Sequence, residues 1–140
     1  MAYNKTEHLR RNIEAIRTAF ALEREQRAAT PEERDVLRAY SGFGAIKEVL
    51  EPLPHKKETA LTPLIEELHA VLKENTGGER EYKRYLDSLK ASVLTAFYTP
   101  EPVTDAIMRM LYNAGVVPVR ALEPSAGTGA FAEYLRRYNE

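Results

Sequence analysis

Residues 119–131 have the sequence VRALEPSAGTGAF, in which an apolar run, an acid and a loop with two glycines precede a helical pattern. Glycine tolerates positive φ and lets a ligand come close to the backbone. A helix that begins directly after such a loop offers unpaired N–H groups and a partial positive charge. The stretch therefore predicts a strand over 116–122, a nucleotide-binding loop and a helix over 131–138.

The glycine loop by itself has two interpretations. It is not a P-loop, because no Gly-Lys-Ser/Thr follows, and it lacks the third glycine of a dinucleotide-binding fingerprint. Glycine-rich turns also join strands to helices for steric reasons alone. From the spacing, a ligand-binding loop and a structural turn are about equally expected.

Three segments resemble one protein family. Residues 122–131 resemble the S-adenosylmethionine-binding motif of adenine-N6 DNA methyltransferases. Residues 97–103, FYTPEPV, are similar to the companion motif that precedes the glycine loop in one motif order of that family. Residues 40–48, YSGFGAIKE, are similar to a segment upstream of the methylase motifs in very large, often helicase-containing proteins of bacterial mobile elements. The chain thus resembles the N-terminal part of such a methyltransferase.

The resemblance implies a Rossmann-like fold, S-adenosylmethionine as cofactor and DNA as the partner of the complete protein. It places the methionine end of the cofactor near Glu123, Gly127 and Gly129, with a backbone group or hydroxyl of Tyr98 and Thr99 against it. The full set of expected cofactor-binding residues is Tyr98, Thr99, Pro100, Glu123, Pro124, Ser125, Gly127, Gly129 and Phe131.

Two of these segments also have purely structural interpretations. Thr99-Pro100 before an amphipathic helix is ordinary capping chemistry, which the chain repeats at Thr30 and Thr62. Residues 40–44 are interpreted first as a helix-ending turn with Phe43 in the core, ahead of a ligand role.

The acceptor-base part of the resembled family is missing. No Asn-Pro-Pro or Asp-Pro-Pro occurs in the chain, so the base-holding motif is absent and no catalytic residue is expected. The ribose-binding acid of a second strand is also missing, and one parallel strand cannot form a parallel sheet by itself. We therefore expect a truncated methyltransferase fold that is inactive alone.

Composition excludes several classes of site. The chain has 140 residues, 44% hydrophobic and 29% charged, with a net charge of −1, so it carries no strong general attraction for nucleic acid. It has no cysteines, and its histidines, His8, His55 and His69, lack metal-ligand spacing and are interpreted as surface residues. Without a membrane-spanning run or a signal-peptide core, the expected location is the cytoplasm.

The remaining sequence predicts a mainly α protein with about six helices. Residues 1–95 are expected to form a helical N-terminal region, and residues 96–140 the beginning of the methyltransferase domain. Thr30 and Glu33 form a capping-box pattern, and the glycines after Tyr40 and Asn75 are stop signals. The predicted helices are 5–28, 31–40, 45–50, 63–74, 79–93 and 100–113.

Apolar spacing predicts which helix faces are buried. The stripes of 63–74 and 79–93 are expected to face a core, including Tyr82 and Tyr85, which at helical spacing are more often core residues than base-stacking ones. In helix 100–113 the residues expected to be buried are Val103, Ile107, Met110 and Leu111.

Two functional hypotheses follow. The first is the N-terminal piece of a DNA-adenine methyltransferase. The second is a non-catalytic helical interaction or DNA-binding module of a mobile-element protein. An apolar strand over 116–122 that lacks neighbouring strands would be able to pair with a strand of another chain. A homodimer through that strand is therefore also expected. A reading frame that continues past Glu140 into an Asn-Pro-Pro-aromatic motif would favour the first hypothesis, and a stop codon the second.

Overall fold

The computed structural model describes residues 4–44, 46–51, 53–54, 58–127 and 129–139. Within this part the chain is mainly helical, as predicted, with six α-helices, one short 3-10 helix and no strand. The chain divides into two compact units, residues 1–96 and 97–140. The α-helices are α1 Lys5–Glu25, α2 Pro31–Arg38, α3 Thr62–Glu74, α4 Glu79–Thr95, α5 Glu101–Asn113 and α6 Ala130–Asn139, and the 3-10 helix is Lys47–Leu50.

The start of α2 confirms the predicted capping box. The Thr30 hydroxyl accepts a hydrogen bond from the Glu33 N–H at 3.2 Å, and the Glu33 carboxylate accepts one from the Thr30 N–H at 2.9 Å. Both bonds satisfy N–H groups that a helix start otherwise leaves unpaired.

The other two Thr-Pro pairs do not cap their helices as predicted. The N-cap of α3 is Leu61 and that of α5 is Pro100, and neither has a side-chain capping bond. Thr62 is the first residue of α3, and its hydroxyl accepts from the Thr59 N–H at 3.0 Å. The prediction for Thr62 and Thr99 was wrong because capping depends on the local backbone conformation as well as on residue type.

The core of the first unit joins α1, α3 and α4. The apolar faces predicted for α3 and α4 are confirmed, since Tyr82, Tyr85 and Leu86 pack against this core. Phe43 is only 1% exposed, which confirms its predicted place in the core, although α2 already ends at Arg38, before the predicted turn at 40–44. The buried core residues include Leu9, Ile13, Phe43, Ile46, Val49, Ile65, Leu68, Leu72, Leu89 and Val93.

A buried amide fixes the segment 40–44 onto the first unit. Asn12 of α1 is fully buried, its Nδ2 donates to the Gly42 carbonyl, and its Oδ1 accepts from the Ser41 N–H at 2.9 Å. The Phe43 N–H donates to Ser92 Oγ of α4 at 3.0 Å. These bonds satisfy buried backbone groups of a segment that belongs to no helix.

Two of the histidines are less exposed than predicted. His8 Nδ1 lies 3.0 Å from Ser41 Oγ, and His69 Nδ1 lies 2.6 Å from the Tyr82 hydroxyl. Both side chains are partly buried, because they sit beside the polar edges of the core. His55, like Ala45 at the start of the predicted helix 45–50, lies outside the described residues.

In the second unit, α5 packs on α6 through polar contacts at its margin. The Tyr134 hydroxyl donates to Glu101 Oε1 at 3.1 Å, and the Tyr138 hydroxyl to Asp105 Oδ1 at 3.5 Å. Met108 follows on the same face of α5 and is 4% exposed. Glu101, Asp105 and Met108 are separated by intervals that place them on one side of a helix.

The predicted burial of the α5 apolar stripe was wrong. Val103 is 47% exposed, Ile107 39%, Met110 71% and Leu111 38%. The helical period places Val103, Ile107 and Met110 opposite the face that α6 covers. Amphipathic spacing identified an apolar face correctly, but it could not say whether a partner covers that face.

The predicted strand over 116–122 was also wrong. These residues are described, and they form no strand. The Val116 N–H donates instead to the Leu111 carbonyl of α5 at 3.0 Å. Val117 is 68% exposed, Val119 96% and Leu122 91%. A strand requires hydrogen bonds to a neighbouring strand, and the apolar run alone does not supply them. Of the predicted strand-loop-helix, the structure shows the loop and the helix α6.

No helix within the described residues is both long and apolar enough to cross a membrane.

Candidate cofactor-binding loop

The Tyr98 ring packs directly against Gly127. A Cβ atom added to Gly127 would lie 2.9 Å from Tyr98 Cδ1 and 3.0 Å from Cε1, closer than side-chain atoms normally approach. Gly127 also has a φ of +55°, which non-glycine residues rarely adopt. Glycine at this position therefore serves both the backbone conformation and the close contact. The structure thus brings together two segments that the sequence identified separately.

The acid of the loop holds the turn that follows it. Glu123 Oε1 accepts a hydrogen bond from the Ser125 N–H at 2.9 Å. Pro124 lies between them and restricts φ, which favours a tight turn. Glu123 is partly buried, and its carboxylate keeps capacity to accept further bonds because a carboxylate has about four lone-pair sites.

Gly129, directly before α6, also has a left-handed backbone conformation. Gly129 has a φ of +83°, and its N–H donates to the Ala126 carbonyl at 2.7 Å. The Gly129 carbonyl accepts from the Glu133 N–H at 3.0 Å, which begins the hydrogen bonding of α6. Phe131, in the first turn, is partly buried. The backbone therefore turns sharply into a helix whose first N–H groups have no partner within the helix.

The loop is open to solvent. Tyr98 is 38% exposed. The other exposed residues of the two segments include Thr99, Pro100, Pro124, Ser125 and Gly127. Small-molecule sites usually bury most of their ligand. The described loop residues are too exposed to enclose a small molecule by themselves.

Thr99 and Pro100 lie at the start of α5. The Pro100 carbonyl accepts from the Val103 N–H at 2.9 Å and the Thr104 N–H at 3.2 Å. The Pro100 carbonyl therefore already accepts the hydrogen bonds that begin α5. Of the companion segment, the Tyr98 ring is the group in direct contact with the glycine loop.

Two ionisable groups near the loop keep their usual charge at neutral pH. Partial burial, and then the hydrogen bond to Glu101, raises the pKa of the Tyr134 phenol, so it remains a neutral donor. A hydrogen bond from Arg136 lowers the pKa of Glu133, so it remains a carboxylate. Tyr134 bonds α6 to α5 through Glu101, and Glu133 pairs with Arg136 and Arg137 within α6.

Sequence reasoning missed the contact that positions α6 on α5. Two acids four residues apart, Glu101 and Asp105, meet two tyrosines four residues apart, Tyr134 and Tyr138. Equal spacing places each pair on one helix face, so the pattern was a usable signal.

The described residues contain no group of three or more His, Cys, Asp or Glu side chains suited to a metal ion. No protein-family model, curated protein or solved structure matches this chain.

Proposed function

We propose that this chain is the N-terminal part of an S-adenosylmethionine-dependent adenine-N6 DNA methyltransferase. In this proposal the parent protein is of the large methylase/helicase type of bacterial mobile elements and acts in the cytoplasm. The observation that carries the proposal is the contact of Tyr98 with Gly127. Two segments that separately resemble motifs of one family are neighbours in space, although α5 separates them in sequence.

The loop geometry supports a cofactor with a charged amino-acid end. The start of α6 favours an anion such as the methionine carboxylate, because its N–H groups and dipole point toward the loop. The Glu123 carboxylate suits the methionine ammonium, since it can accept bonds beyond the one from Ser125. The cofactor would supply the methyl group, and this chain would bind and orient its methionine end.

The proposed role in DNA modification belongs to the complete protein. Calorimetric titration of the complete polypeptide with S-adenosylmethionine tests the proposal. Saturable binding at one site per polypeptide is expected, and absence of binding would contradict it.

The 140-residue chain alone is expected to transfer no methyl group to DNA. The physical reason is that it has no acceptor-base motif and that the proposed cofactor loop is exposed to solvent. Incubation with duplex DNA and cofactor carrying a radiolabelled methyl group should leave no label on the DNA above background, with an active adenine methyltransferase as positive control. Turnover by this chain would show that the resemblance assigns the chemistry to the wrong residues.

Self-association is expected at high concentration. The segment 116–122 is not a strand in the structure, yet it exposes Val117, Val119 and Leu122. Exposed apolar groups and unpaired backbone favour pairing with a second copy. Light scattering should show a mass that rises with concentration, and Val119→Asp should reduce that rise, whereas Ala132→Asp on the exposed surface of α6 should not. A constant monomer mass for the unmodified chain would contradict the homodimer.

A further inference from the structure

A cleft opens between α1 and α4 of the first unit. Its volume is about 270 Å³. Phe43, Leu72 and Leu89 lie at its base and belong to the buried core. The cleft and the glycine loop share no residue, because all of the cleft's lining residues lie in the first unit.

Two aromatic pairs form the walls of the cleft. Phe20 and Tyr85 pack edge to face with ring centres 5.6 Å apart, and Tyr40 and Phe43 do the same at 6.3 Å. Phe20, Tyr40 and Tyr85 are partly exposed. An edge-to-face pair leaves other ring faces available for a third aromatic group.

The polar groups of the cleft are one carboxylate and several hydroxyls. Glu23, which is exposed, is the one acidic side chain among its described lining residues. Hydroxyls that can donate or accept are added by Tyr40, Tyr85, Ser88 and Ser92. A carboxylate repels an anionic group and accepts from an amino group. The lining therefore favours a neutral aromatic ring that bears an amino group.

A cation stands outside the cleft, beside its aromatic wall. The guanidinium carbon of Arg84 lies 5.6 Å from the centre of the Tyr85 ring, and Arg84 is exposed. Its Nη2 also pairs with Glu81 Oε1 at 3.4 Å, a long, exposed contact from which a phosphate could displace it. A guanidinium is well suited to phosphate oxygens. An aromatic cleft with a carboxylate and an arginine at its margin matches the two halves of a nucleotide.

We propose that the cleft binds one unstacked, amino-bearing nucleobase of the adenine type, with the attached phosphate outside it near Arg84. The volume lies just below the range of about 300–1,000 Å³ typical of drug-sized ligand pockets, which suits a single base. The choice of a nucleic-acid ligand rests on the proposed function. The cleft would give the helical region its own contact with a displaced DNA base.

To test the proposal, the whole chain is titrated separately with adenosine and with single-stranded oligodeoxyadenylate. Changes in the backbone amide chemical shifts identify the residues that each probe contacts. Both probes should shift residues of α1, α4 and 40–43. Ser88→Gln should weaken both about tenfold by filling the cleft mouth, whereas Ala91→Gln, at an exposed position on the same helix, should change neither. Arg84→Gln should weaken the oligonucleotide several-fold and leave adenosine unchanged, which separates base from phosphate recognition.

Three outcomes would overturn the inference. The first is that adenosine produces no shifts in these segments at millimolar concentration. The second is that Ser88→Gln binds both probes as well as the unmodified chain does. The third is that toluene shifts the cleft residues as strongly as adenosine, which would mark a site for apolar groups in general. None of these outcomes touches cofactor binding at Gly127, so this failure and that of the proposed function are distinguishable.

Discussion

Gly127→Val is expected to weaken S-adenosylmethionine binding by the complete polypeptide by at least about 100-fold. The substitution puts a branched side chain where a Cβ alone would already lie 2.9 Å from the Tyr98 ring. It also forces a non-glycine residue to a φ of +55°, which typically costs about 1–2 kcal/mol. The loop must then change shape or displace Tyr98, and either change removes the surface that the cofactor would contact. Titration calorimetry of the two proteins measures the difference.

Two matched variants separate the loop from general backbone strain. Gly115 has a φ of +72°, but a Cβ there would meet nothing within 4 Å, so Gly115→Val imposes similar strain away from the loop. It should leave cofactor affinity unchanged. Gly127→Ala, which adds only the Cβ that would lie 2.9 Å from the Tyr98 ring, should weaken cofactor binding less than Gly127→Val does. Equal affinity of Gly127→Val and the unmodified protein would mean that the loop is a structural turn.

Asn12→Leu is expected to lower the free energy of unfolding of the first unit by about 2–4 kcal/mol. Leucine has a similar shape, so the substitution leaves no large cavity. It removes the partners of the Ser41 N–H and the Gly42 carbonyl, and Gly42 is buried. Urea denaturation followed by circular dichroism measures the change.

Glu14→Leu is the matched control for Asn12→Leu. Glu14 lies on the same helix and is exposed, so its replacement by leucine should alter stability by less than about 0.5 kcal/mol. If Asn12→Leu unfolds at the same urea concentration as Glu14→Leu, the buried amide does not hold the segment 40–44 in place.

The sequence predicted features whose partners are local. The capping box of Thr30 and Glu33 joins residues three apart, so the pattern contains the whole interaction. The stripes of α3 and α4 were also predicted correctly, because their partners lie within the first unit. Val103, Met110 and the segment 116–122 were predicted wrongly, because burial and strand pairing depend on surfaces elsewhere.

In the candidate site, too, the sequence predicted the local features and missed contacts between residues distant in the chain. The positive φ of Gly127 and Gly129 follows from glycine in a short loop before a helix. The contact of Tyr98 with Gly127 spans α5, so spacing alone could not predict it, and only the family resemblance suggested the pairing. Asn12 was missed because a polar residue among the arginines and acids of α1 suggests a solvated face. Its signal was its position beside Leu9 and Ile13 on the buried side.

The most direct test of the central claim is to locate bound cofactor on the polypeptide. Ultraviolet cross-linking of radiolabelled S-adenosylmethionine to the complete protein, followed by peptide mapping, identifies the residues that contact it. Label is expected within residues 97–100 and 123–131, and it should disappear in Gly127→Val. Label confined to other peptides, or unchanged labelling of Gly127→Val, would contradict the assignment of this loop as a cofactor site.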